Sequence, residues 1–144
     1  MIYGIGSTYD GVDKFDEFIR HNVVCIGWDR DDAPAIYQLF AKIAVGDIVF
    51  IKSFPPSQGL YIKAVGIVTT PDVIPFDPRL NQPNLGYGRN IAWVWTIEPN
   101  ESPIRIGRLD DHYDYMRGGT LYEELGPEVQ QRVIEIVMSH AVTT

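Results

Sequence analysis

Two cations in this 144-residue chain stand where they could meet a phosphate. Lys52, followed by Ser53, closes the apolar run Ile48-Val49-Phe50-Ile51 beside a proline-rich turn. Arg89 lies in Gly86-Tyr87-Gly88-Arg89-Asn90, the approach to another apolar run. Lys and Arg at such junctions grip phosphate oxygens and fix a nucleic acid in place without reading its sequence. The same two charges read equally well as solvated loop cations. Trp28 follows Gly27 at the end of Val23-Val24-Cys25-Ile26. A tryptophan leaving a strand there is either a packed core aromatic, since aromatics dominate cores, or a stacking wall for a planar ligand. An extruded base is held by just such aromatic faces, with hydrogen bonds to its edge.

Other chemistries find little support. Gly4-Ile5-Gly6 is no dinucleotide fingerprint, because the third glycine would fall at Tyr9 and no helix follows at once. Asp29-Arg30-Asp31-Asp32 hints at a calcium loop, but Pro34 stands where glycine is needed and Phe40 where glutamate is needed. Helix capping is the better reading of that cluster. His21, His112 and His140 are far apart and share no ligand spacing with Cys25, so neither a metal nor another cofactor is expected. Asp110-Asp111-His112-Tyr113-Asp114 reads as a solvated loop or a helix start. Cys25 has apolar neighbours that would leave its thiol inert, and no serine sits in a nucleophile elbow. No catalytic residue is assigned, and the chain reads as a binding module rather than an enzyme.

The elements that must position these residues follow from periodicity. Met1 to Gly6 predicts a strand ended by glycine, and Asp13 to His21 a short helix with Phe15, Phe18 and Ile19 inward. Val23 to Ile26 is a second strand. Asp29 to Asp32 would cap a helix with Pro34 near its first position and Ile36, Leu39, Phe40 and Ile43 on one face, stopped by Gly46. Asp47 to Ser53 and Leu60 to Thr70 are β-branched and aromatic-rich, and the turn residues between them predict a hairpin. Ile91 to Ile97 is a further strand with Trp93 and Trp95 on one face, and Ile104 to Ile106 a short one. Pro127 to His140 predicts a helix with Val129, Val133, Ile134 and Val137 as its stripe. Pro71 to Asn90 is too rich in Pro, Asn and Gly for an element and too apolar for a free linker. It is expected to fold back as a lid or as a packed connector, with Tyr87 and Arg89 near the mouth that Trp28 borders. The order gives an α+β fold with a small curved mixed sheet or barrel flanked by helices.

Composition bounds the partners. Twelve Lys and Arg face 19 Asp and Glu, a net charge of −7, which argues against sequence-blind coating of DNA. A local basic cleft is still compatible with that sum. The length fits one domain, residues 1–144. A single cysteine excludes an internal disulfide and points to a reducing compartment. No leader peptide and no membrane-spanning run is visible, so a cytoplasmic location is expected.

Taken together, Gly6-Ser7, Ile26-Gly27-Trp28, Val45-Gly46-Asp47-Ile48-Val49-Phe50, Ala64-Val65-Gly66-Ile67-Val68, Ala92-Trp93-Val94-Trp95 and Pro103-Ile104-Arg105-Ile106 resemble the motifs of the PUA-like superfamily, and within it the EVE and YTH domains. The resemblance implies a small β-barrel with helices and a pocket for a modified base in nucleic acid. It also implies site residues. Trp28 matches the cage tryptophan, Ser7 the end of the first strand at the pocket, and Ser53 with Phe54 the strand end that borders it. Tyr87 is the candidate for a second cage aromatic. The leading expectation is a module that recognises a modified nucleobase through an aromatic-lined pocket, with nucleic acid or a modified nucleotide as partner. The alternatives are a small nucleotide- or nucleic-acid-processing hydrolase, similar to ASCH domains and using Lys52 or Arg89 on phosphate charge, and a protein-interaction domain.

Overall fold

A computed structural model describes residues 1–9, 11–27, 31–75 and 87–141. Its backbone is organised by one curled mixed sheet. The main path runs β10 (Leu121–Glu123), β1 (Ile2–Ile5), β5 (Ile48–Ser53), β6 (Leu60–Val68), β8 (Tyr87–Thr96) and β4 (Val23–Ile26). β7 (Ile74–Pro75) adds to β8, and β9 (Ile104–Gly107) adds to β6. β1 and β5 are parallel, while every other pair in this sheet is antiparallel. A small ribbon of β2 (Thr8–Tyr9) and β3 (Val12–Asp13) follows β1. The helices are α1 (Phe15–His21), α2 (Pro34–Lys42), α3 (Asp114–Arg117) and α4 (Pro127–Ala141). The expected α+β architecture with a curved mixed sheet is the one observed, and β5 and β6 form the expected hairpin.

Both faces of the sheet are covered, which is why its strands read as near-continuous apolar runs. Along β5, Val49 and Ile51 join one cluster with Tyr3, Ile5, Phe18 and Phe40. Phe50 joins the other with Ile2, Ile62, Val129 and Val133. Alternation of this kind sends neighbouring side chains to opposite faces. The sheet curls at three register shifts, at Ile51/Lys52, Leu60/Tyr61 and Val65/Gly66, because an extra residue on one strand bends it and raises the local twist. Gly66 is required at the last of these, since a Cβ there would lie 2.4 Å from Ile91 and 2.8 Å from the Trp93 ring.

Four details differ from the sequence expectations. Trp93 packs against the first cluster and Trp95 against the second. The register steps from Val65↔Trp95 to Gly66↔Trp93, so Val94 is an extra residue and the two-residue alternation fails across it. On α4, Ile136 takes the inward place and Ile134 is 44% exposed, because position 136 completes the face of Val129 and Val133 whereas 134 turns away from it. α2 has Ala33 at its N-cap with no side-chain cap, so neither Asp31 nor Asp32 caps it, and Asp29 lies outside the described residues. Asp114 opens α3, as the helix-start reading expects, but it and Asp111 are not simply solvated: both hold the buried Arg117.

Candidate functional site

Parallel pairing of β1 with β5 brings their carboxyl ends to one edge of the sheet. Ile5 pairs with Ile51, so the residues that follow, Ser7 and Lys52 with Ser53, emerge side by side. β6 returns antiparallel to β5 with Ile51 opposite Ala64 and Lys52 opposite Ile62. Lys63 is the extra residue of that bulge, and a bulge re-aims the side chain it carries. On the other side β10 pairs with β1, and the Gly6 amide donates to the Thr120 carbonyl at 2.9 Å. The Gly118-Gly119-Thr120 segment that precedes β10 therefore forms a wall. These four pieces enclose a polar cavity of about 220 Å³. Hydroxyls of Ser7, Thr8, Ser53 and Thr120, the two lysines and glycine backbone line it, and among the described residues no carboxylate and no aromatic does.

Lys52 is 7% exposed, and its ammonium donates to the Gly119 carbonyl at 2.6 Å. The Tyr122 ring lies 5.8 Å away. Burial, with the Lys63 charge adding to it, pulls the Lys52 pKa down to about 8. Lys63 is held more loosely, 3.8 Å from the Asp13 carboxylate and 5.6 Å from the Phe15 ring centre. The Ser7 hydroxyl donates to Asp13 at 2.8 Å, which leaves its oxygen lone pairs as acceptors.

The glycine wall is anchored from behind. Arg117, fully buried, immediately precedes Gly118 and donates to Asp111, Asp114 and Glu124 at 2.6 to 3.1 Å. Glu124 also accepts from the Gly126 amide and the Tyr122 hydroxyl. The Asp111 carboxyl is held below its ordinary pKa, first by its hydrogen bonds from Arg117.

Of the sequence-predicted residues, Ser7, Lys52 and Ser53 meet in this cavity. Phe54 packs against the second apolar cluster instead. Tyr87 stands edge-on to Tyr37, ring centres 4.7 Å apart. Arg89 does not reach the cavity and is not a solvated loop charge either. It is fully buried and donates to the Phe40 carbonyl at 2.9 Å and the Thr70 carbonyl at 3.2 Å, closing the last turn of α2, where carbonyls lack helical partners. Trp28 and residues 76–86 of the Pro71–Asn90 segment lie outside the described residues; the rest of that segment is not free of regular structure as expected, since Ile74–Pro75 form β7 and Tyr87–Asn90 open β8. Sequence reasoning missed Lys63 and the Gly118–Thr120 wall. The Gly-Gly pair was a visible turn signal, but its place beside β1 depends on a pairing more than a hundred residues apart in sequence.

No family model matches the chain, and no curated protein matches it. Among solved structures it is similar to the crystal structure of the Toxoplasma CPSF4-YTH domain in its apo form. The TM-score is 0.48 at 14% identity, over 96% of this chain and 86% of that one. What the site here binds must be read from its own chemistry.

Proposed function

We propose that this chain is a nucleic-acid-binding module that recognises a modified nucleobase, with the polar cavity gripping the backbone and Trp28 serving as the stacking wall for the base. One observation carries the reading. In a chain of net charge −7, Lys52 and Lys63 converge on a hydroxyl-lined cavity that no carboxylate among the described residues lines. Lysines and hydroxyls so placed contact phosphate and sugar oxygens. Trp28 enters through the chain path. The Tyr9 hydroxyl donates to the carbonyls of Gly6 and Cys25, tying the rim of the cavity to β4 just before the strand leaves toward Gly27 and Trp28.

The test is a fluorescence titration of labelled oligonucleotides, modified and unmodified, at several salt concentrations. Binding should weaken with salt, and Lys63→Ala should lower the salt slope by about one. Trp28→Ala should cost about 1–3 kcal/mol. Absence of salt-dependent binding to every oligonucleotide, with no effect of Trp28→Ala, would refute the proposal.

A further inference from the structure

The lining of the cavity is specific in what it lacks. Among the described residues none of its side chains offers a flat apolar face for a base to stack on. A phosphate has what it needs: two ammonium groups, from Lys52 and Lys63, and the hydroxyls of Thr8 and Ser53. Gly118 leaves open space where a Cβ would stand, with no heavy atom within 4 Å. An oxyanion can therefore approach the backbone closely.

Charge matching narrows the ligand. The two lysines place two positive charges in the lining; among the described residues no acid lines it, and the carboxylate nearest to it, Asp13, stands 3.8 Å from Lys63. An internal phosphodiester carries one negative charge. A phosphate monoester carries about −1.5 to −2 at neutral pH. We propose that the cavity is a receptor for a phosphate monoester, the terminal phosphate of a nucleic-acid strand or of a nucleotide. The inference rests on the reading above for the kind of molecule that bears the phosphate. Asp13, which does not itself line the cavity, takes the Ser7 hydroxyl proton at 2.8 Å and stands 3.8 Å from Lys63, a loose pairing that positions this lysine while offsetting part of its charge. The buried Lys52 has one carbonyl partner, Gly119, and no carboxylate partner among the described residues. Its lowered proton affinity fits a site whose counter-charge arrives with the ligand.

The experiment compares one oligonucleotide bearing a 5′-hydroxyl, a 5′-phosphate or a 3′-phosphate, by fluorescence anisotropy at fixed salt and neutral pH. Inorganic phosphate and a nucleoside 5′-monophosphate serve as competitors. One phosphorylated end should bind about tenfold tighter than the unphosphorylated strand, and both Lys63→Ala and Lys52→Met should remove that advantage. Heat melts of both variants establish that they are folded. Competition by the mononucleotide as strong as by the phosphorylated strand assigns the site to free nucleotides, whereas competition by the strand alone assigns it to strand ends. Equal affinity for all three strands, weakened equally by the lysine variants, would overturn the inference and leave nucleic-acid binding standing. Lysine-dependent binding of phosphate or mononucleotide with no binding of any strand would do the reverse. No lysine-dependent binding of any phosphate would overturn both.

Discussion

Replacing Lys52 by methionine should make the protein more stable at neutral pH and less able to bind anions. The Lys52 ammonium is 7% exposed and its pKa falls from 10.5 to about 8. A drop of that size corresponds to about 3 kcal/mol of penalty for holding the charged form in the folded state. The sign follows from linkage. Below pH 8 both folded and unfolded chains carry the proton, and the full penalty is present. Between 8 and 10.5 the folded chain gives up the proton while the unfolded chain keeps it, so this group's contribution to stability rises with pH. Lys52→Met removes the penalty but leaves the Gly119 carbonyl, now bonded at 2.6 Å, without its donor, a loss of about 1–3 kcal/mol. The variant should therefore gain about 1 kcal/mol at pH 7 and be the less stable protein at pH 10. Urea unfolding followed by tryptophan fluorescence, with both proteins at both pH values, reads the difference directly. Adding phosphate at pH 7 should stabilise the wild type alone. A variant destabilised equally at pH 7 and pH 10 would show that the Gly119 carbonyl and the Tyr122 ring fully compensate the buried ammonium and that it carries no net penalty.

Arg117→Met should destabilise the fold by about 3–5 kcal/mol at pH 7, because it strands carboxylates around a buried site. Asp111 has a depressed pKa in the folded state, so its contribution is present above about pH 4 and lost as pH falls below. The variant's deficit in a chemical-denaturation series should accordingly narrow at acid pH. Gly126→Ala should reproduce much of that loss in a thermal melt, since its Cβ would lie 2.3 Å from the Arg117 guanidinium. Phosphate affinity, measured by calorimetry, should fall as pH rises through about 8 as Lys52 loses its charge. The other groups around it are Lys63 from β6, Tyr122 from β10 and Asp13 behind Lys63, and an affinity flat from pH 7 to 9 would exclude Lys52 as an anion ligand.

How much of this was legible depended on the range of the interaction. β4 falls on Val23–Ile26 as its apolar run indicates, and β5 and β6 pair as their turn chemistry indicates, because both are local signals. Trp93 and Trp95 went to different faces because a bulge is set by the partner strand, which periodicity in one strand does not encode. Arg89 looked like a surface cation because its neighbours are glycines and asparagine. Only the fold brings the carbonyls of Phe40 and Thr70 around it. Asp111 and Asp114 resembled a solvated acidic run until Glu124 and a buried Arg117 completed the cluster. The cavity followed the same division: Lys52 and Ser53 stood out as strand-end polar residues and Ser7 through the family resemblance, whereas Lys63 and the glycine wall became visible only with the β5–β6 and β1–β10 registers.

The position of β1 between β5 and β10 carries a consequence for the order of assembly. Tyr3 pairs with Val49 on one side and with Glu123 on the other. Joining positions 3 and 123 closes a loop whose chain entropy amounts to about 4 kcal/mol, and no turn or hairpin offsets it locally. The hairpin of β5 and β6 can form early, but the cavity gains its last wall only when the segment before β10 docks. During synthesis, residues that grip a ligand would be present long before the pocket that shapes it, so ligand binding should report completion of the sheet rather than its initiation. Non-local pairing of this kind also slows folding, and ligand added during refolding should capture the final docking step without accelerating the first.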